Sequence, residues 1–395
     1  ASDVYKRQVM ATKYLNNKDG GNHLLYAAPH SLYVGRVRSY LIKHNIKFEE
    51  RSIGHDSFRT EVVPFGKLAT IPTLVLPTGE VIRDGAAIIE HFESSSDYSS
   101  YPKEPMQRLI SVLFDILGAE GMRRPAMHYR WNFPDDNDDF LRYHFNSLMK
   151  PDTPERMKKV DSVMAKLREV TELRGVSKDT KEVVETLYLE LLDALNDHFN
   201  CAPYLFGGRP CIGDFGLIAP LYGHLGRDPY PAQVMKKRAP RVYRWVERMN
   251  RADQDAPEYF DFGTDFFHDD DIPDTLLTVL RILSQDFIPE TRASAKFLNN
   301  WLSETQPEKG SPAIFSLGLS PGTIDFQARG ITITAIVVPY RHFQLQRLHR
   351  IYDDFDATRQ KKVAQLLESC GMKDILEIRL ERLIDRYNNL EVWLD

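Results

Sequence analysis

The stretch LYAAPHSLYVGRVRSYLIKHNIKFEE, residues 25–50, sets a serine where a strand gives way to a helix. Ser31 directly precedes the helical spacing of Val34, Val37 and Leu41, at the end where a helix leaves its first N–H groups unpaired. A hydroxyl there has two uses. It caps the helix, serine being a preferred N-cap, or it donates a hydrogen bond to a substrate anion held at the positive helix end. Tyr33 offers a second hydroxyl near the same point, and His30 an imidazole that would matter beside any reacting thiol. Other side chains invite similar questions. Asp84-Gly85 opens the run GAAIIEHFE, where an aspartate caps or binds. His128, Tyr129, Arg130 and Trp131 crowd one helix; Arg130 suits an anionic group and Trp131 suits packing between domains. His268 with Asp269, Asp270 and Asp271 resembles half a metal site, but ligands would have to converge from elsewhere, and acids ahead of Pro273 mark a helix start. No metal is therefore expected. The cluster MKKRAPR (235–241) reads as a solvated helix end.

These residues must be held by elements. Residues 23–28 form a short apolar strand, FEERSI a second, and 71–84 a hairpin around Pro77-Thr78-Gly79. With the helices after Ser31 and Asp84, the order is β-α-β, a linker, β-β-α. The polar stretch 94–105 is a linker. Residues 105 to about 249 are helical; Val184, Leu187, Tyr188, Leu191, Leu192 and Leu195 share one apolar face, as do Val242, Trp245, Val246 and Met249. Residues 251–271 are acidic and irregular, and Leu276, Val279, Leu280, Leu283 and Phe287 mark another helix. Residues 313–340 then read as a hairpin around Ser320-Pro321-Gly322 followed by a strand over 331–338, and 341–395 as a return to helix. The net charge of −5 gives no general pull toward nucleic acid or an anionic membrane. No apolar run is long enough to span a bilayer. Three cysteines, Cys201, Cys211 and Cys370, argue against a disulfide framework and a zinc site, so a reducing cytoplasm is expected. Residues 1–22 read as a disordered leader, with Met10 as the natural start.

The β-α-β-β-β-α half followed by a helical half resembles the glutathione transferases. Four stretches carry the likeness: Ser31 with Arg36-Val37-Arg38; Thr70-Ile71-Pro72-Thr73-Leu74; PTGEVIRDGAAIIEHFE; and YLFGGRPCIGDFGLIAPLYGHL at 204–225. GMRRPAMHYRWNFP (121–134) and the closing RYNNLEVW resemble a narrower group, long bacterial glutathione-transferase-like proteins with an extra C-terminal module.

The resemblance implies an α/β thioredoxin-like domain over 23–95, an all-α domain over 104–255 and a small α+β module over 270–395. It implies glutathione as cosubstrate, a small hydrophobic electrophile and a homodimer. Ser31 would stabilise the thiolate, with Tyr33 as its rival and His30 nearby. Pro72 would be cis and leave the Ile71 backbone to pair with the cysteinyl part of the peptide. Asp84 would accept from the γ-glutamyl ammonium. Gly85 stands where relatives carry a hydroxyl, so one charge-assisted bond worth about 1.5–3 kcal/mol is missing. His128, Tyr129, Arg130 and Trp131 would shape the electrophile pocket. Cys211 and Asp214 would form the capping box of a core helix. A serine at position 31, rather than a cysteine, favours transfer, addition, elimination or isomerisation over disulfide exchange. A protein that kept the fold as a binding or regulatory module is the alternative.

Overall fold

The computed structural model describes residues 21–95, 99–253, 255–260, 262–313 and 320–395; the expected leader falls almost wholly outside them. Strand β1 (His23–Ala27) leads through helix α1 (Leu32–Lys43) to β2 (Phe48–Ser52), which pairs with it in parallel. A parallel pair needs a crossover, and α1 supplies it. A short helical passage over Phe58–Val62 and Val63–Gly66 leads to β3 (Thr73–Val75) and β4 (Val81–Arg83). The sheet order is β2-β1-β3-β4, so β4 is an edge. Tyr26 pairs with Thr73, which lays the end of β1 alongside Ile71-Pro72, and that bond is cis. Helix α2 (Gly85–Ser95) closes the domain.

Helix α3 (Pro105–Ile116) runs through a π turn at Leu117–Gly121 into α4 (Arg123–Trp131). Helices α5 (Pro134–Ser147), α6 (Arg156–Leu173), α7 (Lys181–His198), α8 (Ile212–Gly223), α9 (Pro229–Arg238) and α10 (Pro240–Met249) follow. Every member of the two expected apolar faces on α7 and α10 is buried. Helix α8 is the hub, and glycines let its neighbours reach its backbone. A Cβ on Gly216 would sit 2.3 Å from the Asp115 Cα of α3, and one on Gly223 would sit 2.6 Å from the Leu32 Cα of α1. The capping box of α8 is present: Asp214 accepts from the Cys211 N–H at 2.9 Å and also from Trp245 Nε1 at 3.0 Å. The acids before Pro273 do not cap their own helix. Asp270 instead accepts from the Met106 and Gln107 N–H groups, at 3.0 and 2.9 Å, and so caps α3.

Helix α11 (Asp274–Thr305) lies along α7, and its apolar residues enter the same core as the helical domain. Strands β5 (Thr323–Ala328) and β6 (Ile331–Ile336) form an antiparallel hairpin against α11. Ile333 is buried while Thr332 and Thr334 face out. The turn is Arg329-Gly330, both at positive φ, and not Ser320-Pro321-Gly322; the strand also ends at Ile336 rather than 338. A proline–glycine pair suits many turns, yet a two-residue turn with both residues left-handed matches strand twist better. Part of the expected first arm, 314–319, lies outside the described residues. Helices α12 (Pro339–Asp353) and α13 (Ala357–Ser369) follow. The expected helix to the end of the chain stops there. Residues 384–393 are a second hairpin, β7 (Ile384–Tyr387) and β8 (Leu390–Trp393), turning at Asn388-Asn389 with φ 50° and 63°. Asparagine tolerates this conformation better than most residues, so the pair was the signal that helical spacing concealed.

Candidate functional site

Ser31 ends the turn after β1 and is the residue before α1, in extended backbone geometry. Its hydroxyl caps nothing: the side chain makes no bond to the helix, and the carbonyl takes Gly35 N–H at 3.1 Å instead. The residue is half-buried. A hydroxyl without a bond to the helix thus stands at the positive end of a three-turn helix.

Three anchors hold this turn. Arg130 donates to Asp228 at 2.6 and 2.8 Å, to the His30 carbonyl at 2.8 Å and to the Gly223 carbonyl at 2.9 Å. Arg36, one turn into α1, pairs with buried Asp115 at 2.6 Å. Asp115 also takes Arg347 of α12 at 2.7 Å. The third is the Gly223 backbone, against which Leu32 rests.

The other expected residues divide. Gly85 belongs with the site: a Cβ there would lie 3.4 to 3.7 Å from Val37, Arg36 and Pro72. Tyr33 turns from Ser31 toward the helical domain, where its hydroxyl meets Arg123, itself 3.0 Å from Glu120. Burial pushes the Tyr33 phenol up. The His30 ring packs edge-on against Phe145 with centroids 4.4 Å apart. Burial, then Arg130, pushes it down to about 2, which keeps it neutral. His128 is tied to Glu185 at 2.9 Å and Asn132 at 2.8 Å. Tyr129 stacks on Phe133 and sits 4.7 Å from the Tyr188 ring. Trp131 lies against Phe145 and under Arg168. These three side chains are in helical-domain packing, and Arg130 holds the Ser31 turn rather than a pocket.

Asp84 sits at φ 86° and caps α2, its Oδ1 accepting from Ala86 and Ala87 N–H at 3.0 and 3.2 Å. Two partners from the C-terminal residues share it: the Tyr340 hydroxyl at 2.7 Å from Oδ2, and Arg386 Nη2 at 3.1 Å from Oδ1. Burial alone would raise this carboxyl, but Arg386, Arg83 and the Tyr340 hydroxyl outweigh it and hold it below the usual range. Sequence reasoning missed Tyr340, Arg386 and the Arg36–Asp115–Arg347 chain. The RYNNLEVW stretch was singled out without a role. No group of side chains suited to a metal ion occurs among the described residues. No helix among them is long and apolar enough to cross a membrane.

Residues 25–100 match the family model described as glutathione S-transferase, N-terminal domain. No curated protein matches the chain significantly. Among solved structures, the chain is similar to a glutathione S-transferase from Methylobacterium radiotolerans in complex with glutathione sulfonate, with 18% identity, 60% of this chain and 93% of that one covered, and TM-score 0.37. It is also similar to the beta-etherase of Sphingobium sp. strain SYK-6, with 17% identity, 61% and 99% covered, and TM-score 0.39.

Proposed function

We propose, from the match of residues 25–100 to the glutathione S-transferase N-terminal domain, that the protein is a glutathione-dependent transferase acting on a small hydrophobic electrophile. The observation that carries this reading is the Ser31 hydroxyl, free of any cap bond at the start of α1. A thiol of ordinary pKa is mostly protonated near neutrality, and a donor aimed at sulfur favours the thiolate. Ser31 would donate to that thiolate, which then attacks the electrophile and either adds to it or displaces a leaving group. Ile71 would pair its backbone with the cysteinyl part. Its N–H and C=O have no hydrogen-bond partner among the described residues. Asp84 would receive the γ-glutamyl ammonium and the α2 N-terminus at Gly85 the adjoining carboxylate. Pocket shape decides between transfer, elimination and isomerisation. The same reading includes a homodimer, checked by light scattering at micromolar concentration.

A second reading has its own observation. Tyr340 and Arg386 already occupy Asp84, which favours a protein that kept the fold for binding or regulation. Glutathione-agarose retention together with an aryl-halide conjugation assay separates the two. Turnover supports the transferase; retention without turnover supports the second reading; neither would refute the glutathione site.

A further inference from the structure

Asp84 is already crowded with donors. A carboxylate offers about four lone-pair directions, two on each oxygen; Ala86 N–H, Ala87 N–H and Arg386 share Oδ1, and the Tyr340 hydroxyl takes Oδ2. The first two come from its own helix. The other two come from the C-terminal residues, and the hairpin that brings Arg386 is docked by a dense polar contact. Arg83 donates to Glu391 at 2.7 Å and to the Asn389 carbonyl at 2.8 Å. The Asn389 side chain accepts from Arg83 N–H at 3.1 Å and donates to Val81 O at 2.8 Å. It thereby satisfies two of the backbone groups on the open side of edge strand β4, which otherwise invites another partner. Arg386 itself donates to the Arg83 carbonyl and pairs with Glu391 as well as Asp84.

We propose that Arg386 is an internal competitor for the ammonium group of the ligand, so that the β7–β8 hairpin and Tyr340 set ligand affinity at Asp84. This rests on the glutathione reading above. The guanidinium is a tethered cation on a partly buried carboxylate. A ligand carrying a primary ammonium competes with that cation for the carboxylate, whereas a ligand lacking that group does not. Glu391, buried between Arg83 and Arg386, keeps the docked state neutral: two carboxylates face two guanidiniums. Displacement unpairs Glu391 from Arg386 while leaving it Arg83. The competitor is therefore removable without stripping a buried acid of every partner.

The test is calorimetric titration of the full chain with glutathione and with its des-amino analogue, in which glutaryl replaces γ-glutamyl. Wild type, Arg386→Met and Tyr340→Phe are compared, with thermal melts to confirm folding. Removing the competing charge tightens glutathione about tenfold or more in Arg386→Met, and less in Tyr340→Phe, where only a hydroxyl is lost. The des-amino analogue binds all three chains within about twofold. Glutathione affinity in both variants equal to or weaker than in wild type overturns the competition while leaving the glutathione site standing. An equal gain for both ligands also overturns it, because the hairpin would then act as a plain steric cover. Binding of neither ligand to any chain overturns both this inference and the reading beneath it.

Discussion

Replacing Ser31 by alanine separates two roles that serine plays elsewhere at once. Loss of a working N-cap costs about 1 kcal/mol, up to 2. Here the hydroxyl bonds nothing in the helix, so the melt should shift by no more than an uninvolved surface change, about 0.5 kcal/mol. Catalysis is another matter. A hydrogen bond to a charged group is worth about 1.5–3 kcal/mol, and the thiolate is the reacting form, so the loss falls on kcat/KM as about a tenfold to hundredfold drop. The same energy raises the thiol pKa of bound glutathione by about one to two units, moving the rising limb of the pH–rate profile to higher pH. The assay is steady-state aryl-halide conjugation across pH, alongside thermal melts of the same preparations. Tyr33→Phe should be milder, because its hydroxyl is held by Arg123. Unchanged turnover in Ser31→Ala with abolition in Tyr33→Phe would refute the assignment, and a large loss of stability without kinetic change would show the serine to be a cap.

Three further outcomes are expected. Gly85→Ser places a side chain where the nearest atoms stand 3.4 to 3.7 Å from the new Cβ; the added donor should tighten glutathione about tenfold by calorimetry, and an unchanged Kd would end the idea that Gly85 marks a missing bond. Gly223→Ala drives a Cβ to 2.6 Å from the Leu32 Cα; overpacking should cost about 1–3 kcal/mol in a denaturant titration and, by moving the Ser31 turn, lower turnover too. The third concerns pH. His44 and His198 are pushed down to about 4, and His342 to about 3, chiefly by burial. Unfolded histidines take up protons below about 6.5 while these buried ones do not, so stability present above that pH is lost as pH falls, by about 1.4 kcal/mol per unit per residue. Asp214, pushed up to about 6 by burial, works the other way, since its folded carboxyl takes up a proton above the unfolded pKa. With His30, pushed down to about 2, these histidines outweigh Asp214 and predict a melting temperature that drops between pH 6.5 and 4.5; a flat profile would contradict the assigned burial.

Local pattern was enough for much of this chain. The period of Val34, Val37 and Leu41, the Pro-Thr-Gly turn before β4, and the Cys211-Asp214 box each act within a few residues, where spacing and backbone preference speak directly. Those features set the N-terminal α/β unit and the helical faces, and Ser31 before α1 followed from them. Where the Ser31 hydroxyl points did not follow, because a serine before a helix caps or stays free according to backbone torsion and neighbours. The same limit misplaced the β5–β6 turn and turned residues 384–393 into helix. Arginine and leucine suit a helix in isolation, and the Asn-Asn turn shows its worth only once both arms find packing against α11 and the sheet edge. The partners of Asp84 were wholly a matter of tertiary structure. Asn389 meets Arg83 across 306 positions of sequence, and no periodicity links them. Their encounter depends on how α11 and α12 lay the last hairpin across β4, which the summed burial of the whole core determines.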